Sequence, residues 1–370
     1  MKKLFLLSII SLVATMASAQ EFTFNELVYR ILSTSERTCA LKSGKNKSGA
    51  FTIPYSVSYN GTAYTVEEID DSAFYNNENI TSVRINAPAK KIGKRAFYCC
   101  YSLASVELNG SHETIDDYAF FHCDLTEITI PREVVSLGCC AFAVNNLSTI
   151  CINSNAVVSK DYTFESNLTH IFGIEGESVN LVLGQGVATI GKYAFANDYE
   201  TEPRSGSEWE KYYQTKVQVK FPSTLREICH FAFYYSRIVV LELPEGLLSI
   251  DNGAFSNCDI LASVTIPSTL SSVSVVAFDN SSGIQTIYAN SAKRNAYDGL
   301  WVHGNNNKEW TTVYVKDMNV YNKIEDLSKY LGTYVLVNGQ TDSTIKEDVN
   351  EDGKVNSLDV LKVYKYMQSH

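Results

Sequence analysis

The fold is decided by a six-residue pattern, Ile-x-x-x-Ala-Phe, that recurs along most of the chain. Early copies are IDDSAF from Ile69, IGKRAF from Ile92, IDDYAF from Ile115 and LGCCAF from Leu137. Later copies are IGKYAF from Ile190, ICHFAF from Ile228, IDNGAF from Ile250 and VSVVAF from Val273. A weaker copy, VSKDYTF, starts at Val158 and ends at Phe164. The early copies begin 23, 23 and 22 residues apart, which indicates a repeat architecture.

Short segments between these copies alternate apolar and polar residues at their ends, as strands with one buried face do. They are Ile80–Ile85, Leu103–Leu108, Leu125–Pro131, Leu147–Ile152, Ile238–Pro244, Leu261–Pro267 and Ile284–Ala289. A unit this short cannot bury its apolar face alone, whereas stacked units can. The sequence therefore predicts a mainly β repeat solenoid.

A third feature of the repeat lies four residues after each alanine of the Ala-Phe pair. The residues there are Asn77, Cys100, Cys123, Asn145, Asp198, Ser236, Cys258 and Ser281, and the weak copy gives Asn167. All are small and able to form hydrogen bonds. Because buried backbone groups need partners, we expect these side chains to bond to the backbone of their own or the next coil.

The unit IGxxAFxxCxxLxxVxIPxxV resembles the BspA-like leucine-rich repeat, and the resemblance extends from about Glu67 to Ala289. It implies a leucine-rich-repeat horseshoe with a parallel sheet on its concave side. Members of this family are mostly exported or cell-surface proteins implicated in adhesion to host proteins or to other cells. The resemblance therefore implies a secreted or surface-bound adhesion protein.

The first nineteen residues have the pattern of a secretory signal peptide. Lys2 and Lys3 precede an apolar run that is too short to span a membrane, and Ala17-Ser18-Ala19 forms a cleavage pattern. We expect cleavage after Ala19 and an exported protein that is not membrane-spanning. The predicted divisions are 1–19 signal peptide, 20–66 N-terminal cap, 67–290 repeats, 291–337 C-terminal cap, 338–347 linker and 348–370 calcium segment.

Both caps contain local structural signals. Asn60-Gly61 lies between alternating segments and predicts a hairpin. Trp310–Val315 is predicted as the last strand. Tyr321–Gly332 has apolar residues at helical spacing and a glycine at its end, which predicts a helix.

The stretch DVNEDGKVNSLD, from Asp348 to Asp359, has the spacing of an EF-hand-like calcium loop followed by a helix. Its expected calcium ligands are Asp348, Asn350, Asp352, Asn356 and Asp359, with Lys354 contributing its backbone carbonyl. The segment resembles one dockerin type I repeat, a family that normally carries two. Three alternatives remain open: it packs against the predicted cap helix, it pairs with another chain such as a cohesin-like partner, or it stabilises the C-terminus.

Charge and composition exclude some functions. A net charge of −10 disfavours a nucleic acid partner. The nine cysteines follow the repeat rather than a disulfide framework, so we expect free thiols, although Cys100 and Cys123 are within bridging distance in principle. The sequence contains no catalytic constellation, and we expect that the protein is not an enzyme.

Two candidate binding regions follow from the repeat. One is the outward-facing row on the predicted concave sheet: Arg84, Glu107, Thr129, Cys151, Lys220, Glu242, Thr265 and Tyr288. The other is an insert near 198–216 that contains Trp209, Tyr212 and Tyr213, and its alternative is a tolerated surface loop. The leading hypothesis is recognition of a protein or glycan partner by the repeat face. The alternative is a component of an extracellular complex, docked through the dockerin-like tail.

Overall fold

Two rows of parallel strands run along the repeat region, one of longer strands and one of two-residue strands. These rows are seen in a computed structural model, which describes residues 20–163, 167–173, 178–197, 215–297, 300, 312–315 and 333–336. Strands are numbered in chain order. The predicted repeat solenoid with parallel sheets is confirmed.

The N-terminal end contains six strands. They are β1 Glu21–Phe24, β2 Leu27–Ser33, β3 Thr38–Ser43, β4 Gly49–Ile53, β5 Ser56–Tyr59 and β6 Thr62–Ile69. The predicted hairpin is present, since β5 and β6 pair antiparallel around Asn60 and Gly61, which have φ values of 50° and 80°. β3 and β4 pair parallel with strands of the repeats, so one coil precedes the first Ile-x-x-x-Ala-Phe copy.

The longer strands form three parallel sheets that also include β4. They are β7 Ile80–Ile85, β9 Ser105–Leu108, β11 Glu127–Ile130, β13 Thr149–Ile152, β14 Ser178–Leu183, β16 Lys216–Lys220, β18 Val240–Glu242, β20 Ser263–Ile266, β22 Thr286–Ala289, β23 Thr312–Val315 and β24 Thr333–Leu336. The strand expected near Val315 is present as β23. It is not the last strand, because β24 pairs parallel with it.

The two-residue strands each end at the first residue of the Ile-x-x-x-Ala-Phe pattern. They are β8 Lys91–Ile92, β10 Thr114–Ile115, β12 Ser136–Leu137, β15 Thr189–Ile190, β17 Glu227–Ile228, β19 Ser249–Ile250 and β21 Ser272–Val273. β6, β8, β10 and β12 pair in one sheet, and β15, β17, β19 and β21 pair in another. The short helices are α1 Asn155–Val158, α2 Leu168–Phe172 and the 3-10 helix Arg294–Ala296.

The phenylalanines of the Ala-Phe pairs stack with nearly parallel rings through the core. Phe74 and Phe97 have ring centroids 4.6 Å apart, and the ring of Phe97 lies 4.9 Å from that of Phe120. A second run in the later coils stacks Phe233 on Phe255 with a centroid distance of 5.3 Å. Offset ring stacking combined with full burial makes these contacts a main source of stability.

Most repeats turn through two residues with left-handed backbone conformation, whereas the copies from Ile190 and Val273 have one each. In the second copy the two residues are Arg95 and Cys99, with φ values of 56° and 55°. This conformation costs a residue other than glycine about 1–2 kcal/mol. Hydrogen bonds between coils offset the cost, since the Phe97 amide donates to the Ala119 carbonyl at 2.7 Å.

The weak copy differs from the other copies because a helix, α2, follows it. Phe164 lies outside the described residues, and the ring that stacks on Phe142 belongs to Phe172, with a centroid distance of 5.5 Å. Helix α2 supplies this ring, and Asn167 caps the helix by accepting from the His170 amide. This unit is longer than the early ones, with 32 residues from Val158 to Ile190, and the added length accommodates the helix.

Candidate interaction surface

The predicted binding row lies on the solvent side of the long-strand sheets. In β9, Glu107 is exposed while Val106 and Leu108 are buried on the opposite side. Strand register places the members of the row next to one another. The adjacent pairs are Arg84 with Glu107, Thr129 with Cys151, Glu242 with Thr265, and Thr265 with Tyr288.

Arg84 and Glu107 form a bidentate ion pair at the N-terminal end of this row. Arg84 Nε lies 2.7 Å from Glu107 Oε2, and Arg84 Nη2 lies 2.8 Å from Glu107 Oε1. The amide of Asn109 donates to the same carboxylate at 3.3 Å. These donors hold the pKa of Glu107 at about 2, because each stabilises the charged carboxylate. The pair is exposed to solvent, so the carboxylate and guanidinium are fixed in position on an accessible surface.

The C-terminal end of the row is aromatic. Tyr288 in β22 stacks on Tyr314 in β23, with ring centroids 5.1 Å apart. Tyr288 is the neighbour of Thr265, which in turn neighbours Glu242. The row therefore changes from charged at one end to aromatic at the other.

Lys220 lies at the end of β16, beside Val182 of β14. Its side chain is exposed. The insert residues Trp209, Tyr212 and Tyr213 lie outside the described residues, as do all the predicted calcium ligands from Asp348 to Asp359.

Several of the small residues that follow the Ala-Phe pairs bond to the preceding coil, whereas the side-chain amide of Asn167 donates to the Ala196 carbonyl of the following coil at 2.8 Å. The thiols of Cys100 and Cys123 donate to the carbonyls of Phe74 and Phe97, both at 3.2 Å. The hydroxyl of Ser281 donates to the Phe255 carbonyl. All nine cysteines are free thiols. These side chains join one coil to the next, which explains why this position favours small donors.

His112 is a buried polar residue that the repeat pattern did not single out. Its Nδ1 lies 2.9 Å from the Ala89 carbonyl, whereas Nε2 is buried without a hydrogen-bond partner. Burial lowers the pKa of His112, so the ring is held neutral. Alignment of the coils could have revealed it, because the corresponding residues are apolar, such as Val134 and Leu247.

An aromatic cluster on the Ala-Phe turns was also missed. Tyr75, Tyr98 and Phe121 follow their Ala-Phe alanines by two residues, and their rings stack at 5.1 Å and 5.2 Å. Arg95 lies over Tyr98 and Tyr118, at 5.6 Å and 5.8 Å from their ring centroids. We call this region, together with Tyr101, the turn-face cluster.

Two further properties concern only the described part of the chain. No three side chains of His, Cys, Asp or Glu converge there in a group that could hold a metal ion. In those same ranges, no helix has both the length and the apolar character needed to cross a membrane.

Comparison with protein families gives two matches. A model described as the BspA type leucine rich repeat region, with 6 copies, matches residues 67–202 and 211–301. A model described as the dockerin type I domain matches residues 330–370. The second match begins before the predicted calcium segment. No curated protein matches the chain.

Several solved structures are similar to this chain. A leucine-rich repeat protein from Bacteroides ovatus is 20% identical, with a TM-score of 0.40, and the alignment covers 80% of this chain and 76% of that chain. Another from Bacteroides capillosus is 29% identical, with a TM-score of 0.32, and covers 36% of this chain and 99% of that chain. A leucine rich cell surface protein from Faecalibacterium prausnitzii is 22% identical, with a TM-score of 0.27, covering 73% of this chain and 94% of that chain.

The family models, the repeat spacing and the stacked coils all indicate the same repeat architecture. The repeat match extends over more than half of the chain, and the dockerin match confirms the resemblance of the tail. The chain belongs to the BspA type leucine-rich repeat family and carries a dockerin type I domain at residues 330–370.

Proposed function

We propose that this is an exported recognition protein that binds a protein or glycan partner through the exposed row of its long-strand sheets. The family supports protein interaction in general, whereas the partner and the role in adhesion are part of the proposal. Export is supported by Lys2, Lys3 and the Ala17-Ser18-Ala19 cleavage pattern.

The observation that carries the proposal is the register of the row. Within each of the three sheets, members of the row occupy equivalent positions on hydrogen-bonded strands, as do Arg84 and Glu107 on β7 and β9. Neighbouring strands are about 4.8 Å apart, so the row presents charged, hydroxyl and aromatic groups at regular intervals. A partner that contacts several of them gains affinity without ordering the protein first.

The dockerin domain is proposed to bind calcium. Asp348, Asp352 and Asp359 provide carboxylates, while Asn350 and Asn356 provide amide oxygens. This set consists of hard oxygen donors at the spacing calcium requires. When bound, calcium would order the loop and the helix after it. The role of each ligand is a proposal that rests on the sequence.

A second candidate function is favoured by the length of the dockerin match. It covers residues 330–370, which is more than the single calcium segment that begins at Asp348. A dockerin domain suggests a cohesin-type partner. In this candidate the tail attaches the repeat domain to an extracellular complex.

One binding experiment separates the two candidates. Residues 20–370 and a shorter chain that ends at Lys346 are each immobilised, with calcium or with a chelator, and exposed to extracellular matrix and producer-cell extracts. A partner that both chains retain under both conditions supports recognition by the repeats. A partner lost on truncation and also on chelation supports docking by the tail and contradicts the leading proposal.

A further inference from the structure

The turn-face cluster differs from what the fold itself requires. Its central position, two residues after the Ala-Phe alanine, is aromatic in three consecutive coils: Tyr75, Tyr98 and Phe121. Other coils have Ala143 or Ser256 at the same position. Since the repeat accepts a methyl or hydroxymethyl side chain there, coil stacking does not explain the three aromatic rings.

The cluster is also more exposed than a structural contact would require. Tyr75 is 43% exposed and Tyr101 is 45% exposed, although both are large aromatic residues. The phenol ring of Tyr98 stacks on that of Tyr75 and lies edge-on to that of Tyr118, with ring centroids 5.1 Å and 6.5 Å apart. The surface therefore combines apolar ring area with phenol hydroxyl groups.

A positive charge is held at the centre of this surface. The Arg95 guanidinium lies over the rings of Tyr98 and Tyr118, in the geometry of a cation–π contact. In the described residues, no carboxylate lies within ion-pair distance of it. The nearby carboxylate of Asp117 pairs with Lys94 at 3.1 Å. The Arg95 guanidinium is thus positioned to bind an anionic group of a ligand.

The size of the cluster favours a small ligand over a folded protein. A stable protein interface buries roughly 800 Å² on each side and involves about 20–30 residues per partner. The turn-face cluster has far fewer. Phenol rings combine apolar contact with hydrogen bonding, which matches the mixed C–H and hydroxyl surface of a sugar ring. A guanidinium matches a sugar carboxylate in charge and in hydrogen-bond geometry.

We propose that the turn-face cluster is a second binding site, specific for an acidic oligosaccharide whose carboxylate binds Arg95 while sugar rings contact Tyr75 and Tyr101. The site lies on the Ala-Phe turns and not on the long-strand sheets. It therefore does not depend on the proposed recognition row, so a negative binding result at one site leaves the proposal for the other unaffected.

The test uses calorimetric titration of the full chain with hexagalacturonate as the probe. We expect binding, and we expect the fully methyl-esterified hexamer, which lacks only the charges, to bind at least about tenfold more weakly. Arg95→Gln and Tyr75→Ala should each weaken binding by about tenfold. Tyr75→Ala should fold normally, because other coils carry alanine at this position.

Matched controls make the proposal falsifiable. Tyr234→Ala changes the equivalent position of a distant coil, and Arg132→Gln removes an exposed arginine from a different part of the repeat. Both should leave binding unchanged. The proposal is overturned if hexagalacturonate does not bind, if its methyl ester binds equally well, or if the control variants lose as much affinity as the cluster variants. Equal or tighter binding of hexaglutamate would assign the cluster to acidic peptides and would also overturn it.

Discussion

Phe74 and Phe97 stack almost parallel, with ring centroids 4.6 Å apart and an interplanar angle of 8°. Both rings are fully buried. They are 23 residues apart in the sequence, which is the length of one repeat. Because the rings are one repeat apart, the repeat length places equivalent phenylalanines in contact in the core. The same kind of contact recurs between successive coils of the solenoid.

Loss of one ring from the stack of Ala-Phe phenylalanines should destabilise the whole repeat domain. Phe97→Ala removes a ring that contacts both Phe74 and Phe120, and we expect a loss of about 3–5 kcal/mol in the free energy of unfolding. Urea denaturation monitored by circular dichroism measures it. Leu248→Ala removes a large but exposed side chain and should cost far less. Equal losses of unfolding free energy in the two variants would contradict a stabilising role for the stacked phenylalanines.

A close approach between coils should make Gly138 intolerant of a side chain. A Cβ added there would lie 2.2 Å from the backbone nitrogen of Asp117. Gly138→Ala should cost about 1–3 kcal/mol of stability, because the coils must separate locally. Asp116→Ala is the matched control, since Asp116 occupies the same repeat position in the preceding coil. The account is wrong at this position if Gly138→Ala unfolds at the same urea concentration as the unaltered chain.

His112 should make stability depend on pH. Its pKa is lowered in the folded state, so the unfolded chain binds a proton at a higher pH than the folded chain does. Stability should therefore be complete above the unfolded pKa of about 6.5 and should fall as the pH drops below it. Urea midpoints at pH 7.5 and pH 5.5, a chosen pair about one unit either side of that value, measure the change.

Replacement of His112 by an apolar residue should remove this dependence. His112→Val introduces the residue type found at Val134, the corresponding position of the next coil. Its midpoint should change less between the two pH values than that of the unaltered chain. His122→Gln, which removes an exposed histidine, should retain the full change. If His112→Val shows the same pH dependence as the unaltered chain, the buried ring is not its source.

The ion pair in the recognition row should be visible by titration. Glu107 has a pKa of about 2 because Arg84 and Asn109 donate to its carboxylate. Arg84→Gln should move this value up towards the ordinary glutamate value of about 4.3. Carboxyl chemical shifts followed by NMR through the acidic range provide the measurement. An unchanged value in the variant would show that Arg84 does not hold the carboxylate.

The dockerin domain should bind calcium through the predicted loop. Asp348→Ala and Asp352→Ala each remove a carboxylate, and we expect either change to weaken calcium binding strongly. Asp342→Ala removes an acidic residue that lies in the predicted linker, so it is the matched control. Calorimetric titration of the full chain with calcium measures all three. If the loop variants bind calcium with the same affinity as the control, the predicted loop is not the calcium site.

Much of the fold could be predicted because each repeat has the same local pattern of apolar, polar and turn-forming residues. Ile80–Ile85 alternates apolar and polar residues over its last three positions and forms β7 over the same residues. Asn60-Gly61 formed its hairpin because both residues accept a positive φ. Recurrence of the Ala-Phe pair also identified the phenylalanines that later proved to stack.

Departures arose where distant contacts override the local pattern. The weak copy ends at Phe164, which lies outside the described residues, and the sequence pattern did not indicate that Phe172 stacks on Phe142, where helix α2 brings it into the core. His112 was overlooked because a histidine in a loop segment has no distinctive local pattern. The turn-face cluster escaped notice because its side chains come from separate coils, and only alignment of those coils shows Tyr75 and Tyr98 in one row.

The most direct test of the recognition row is a charge exchange that preserves net charge. The partner retained by residues 20–370 is titrated against the chain that carries both Lys220→Glu and Glu242→Lys, since both residues are exposed in the row. The control chain carries Lys90→Glu and Glu113→Lys, which exchange exposed charges outside the row. We predict at least about tenfold weaker binding for the row variant and unchanged binding for the control. Equal affinity in the two variants would contradict recognition through the long-strand sheets.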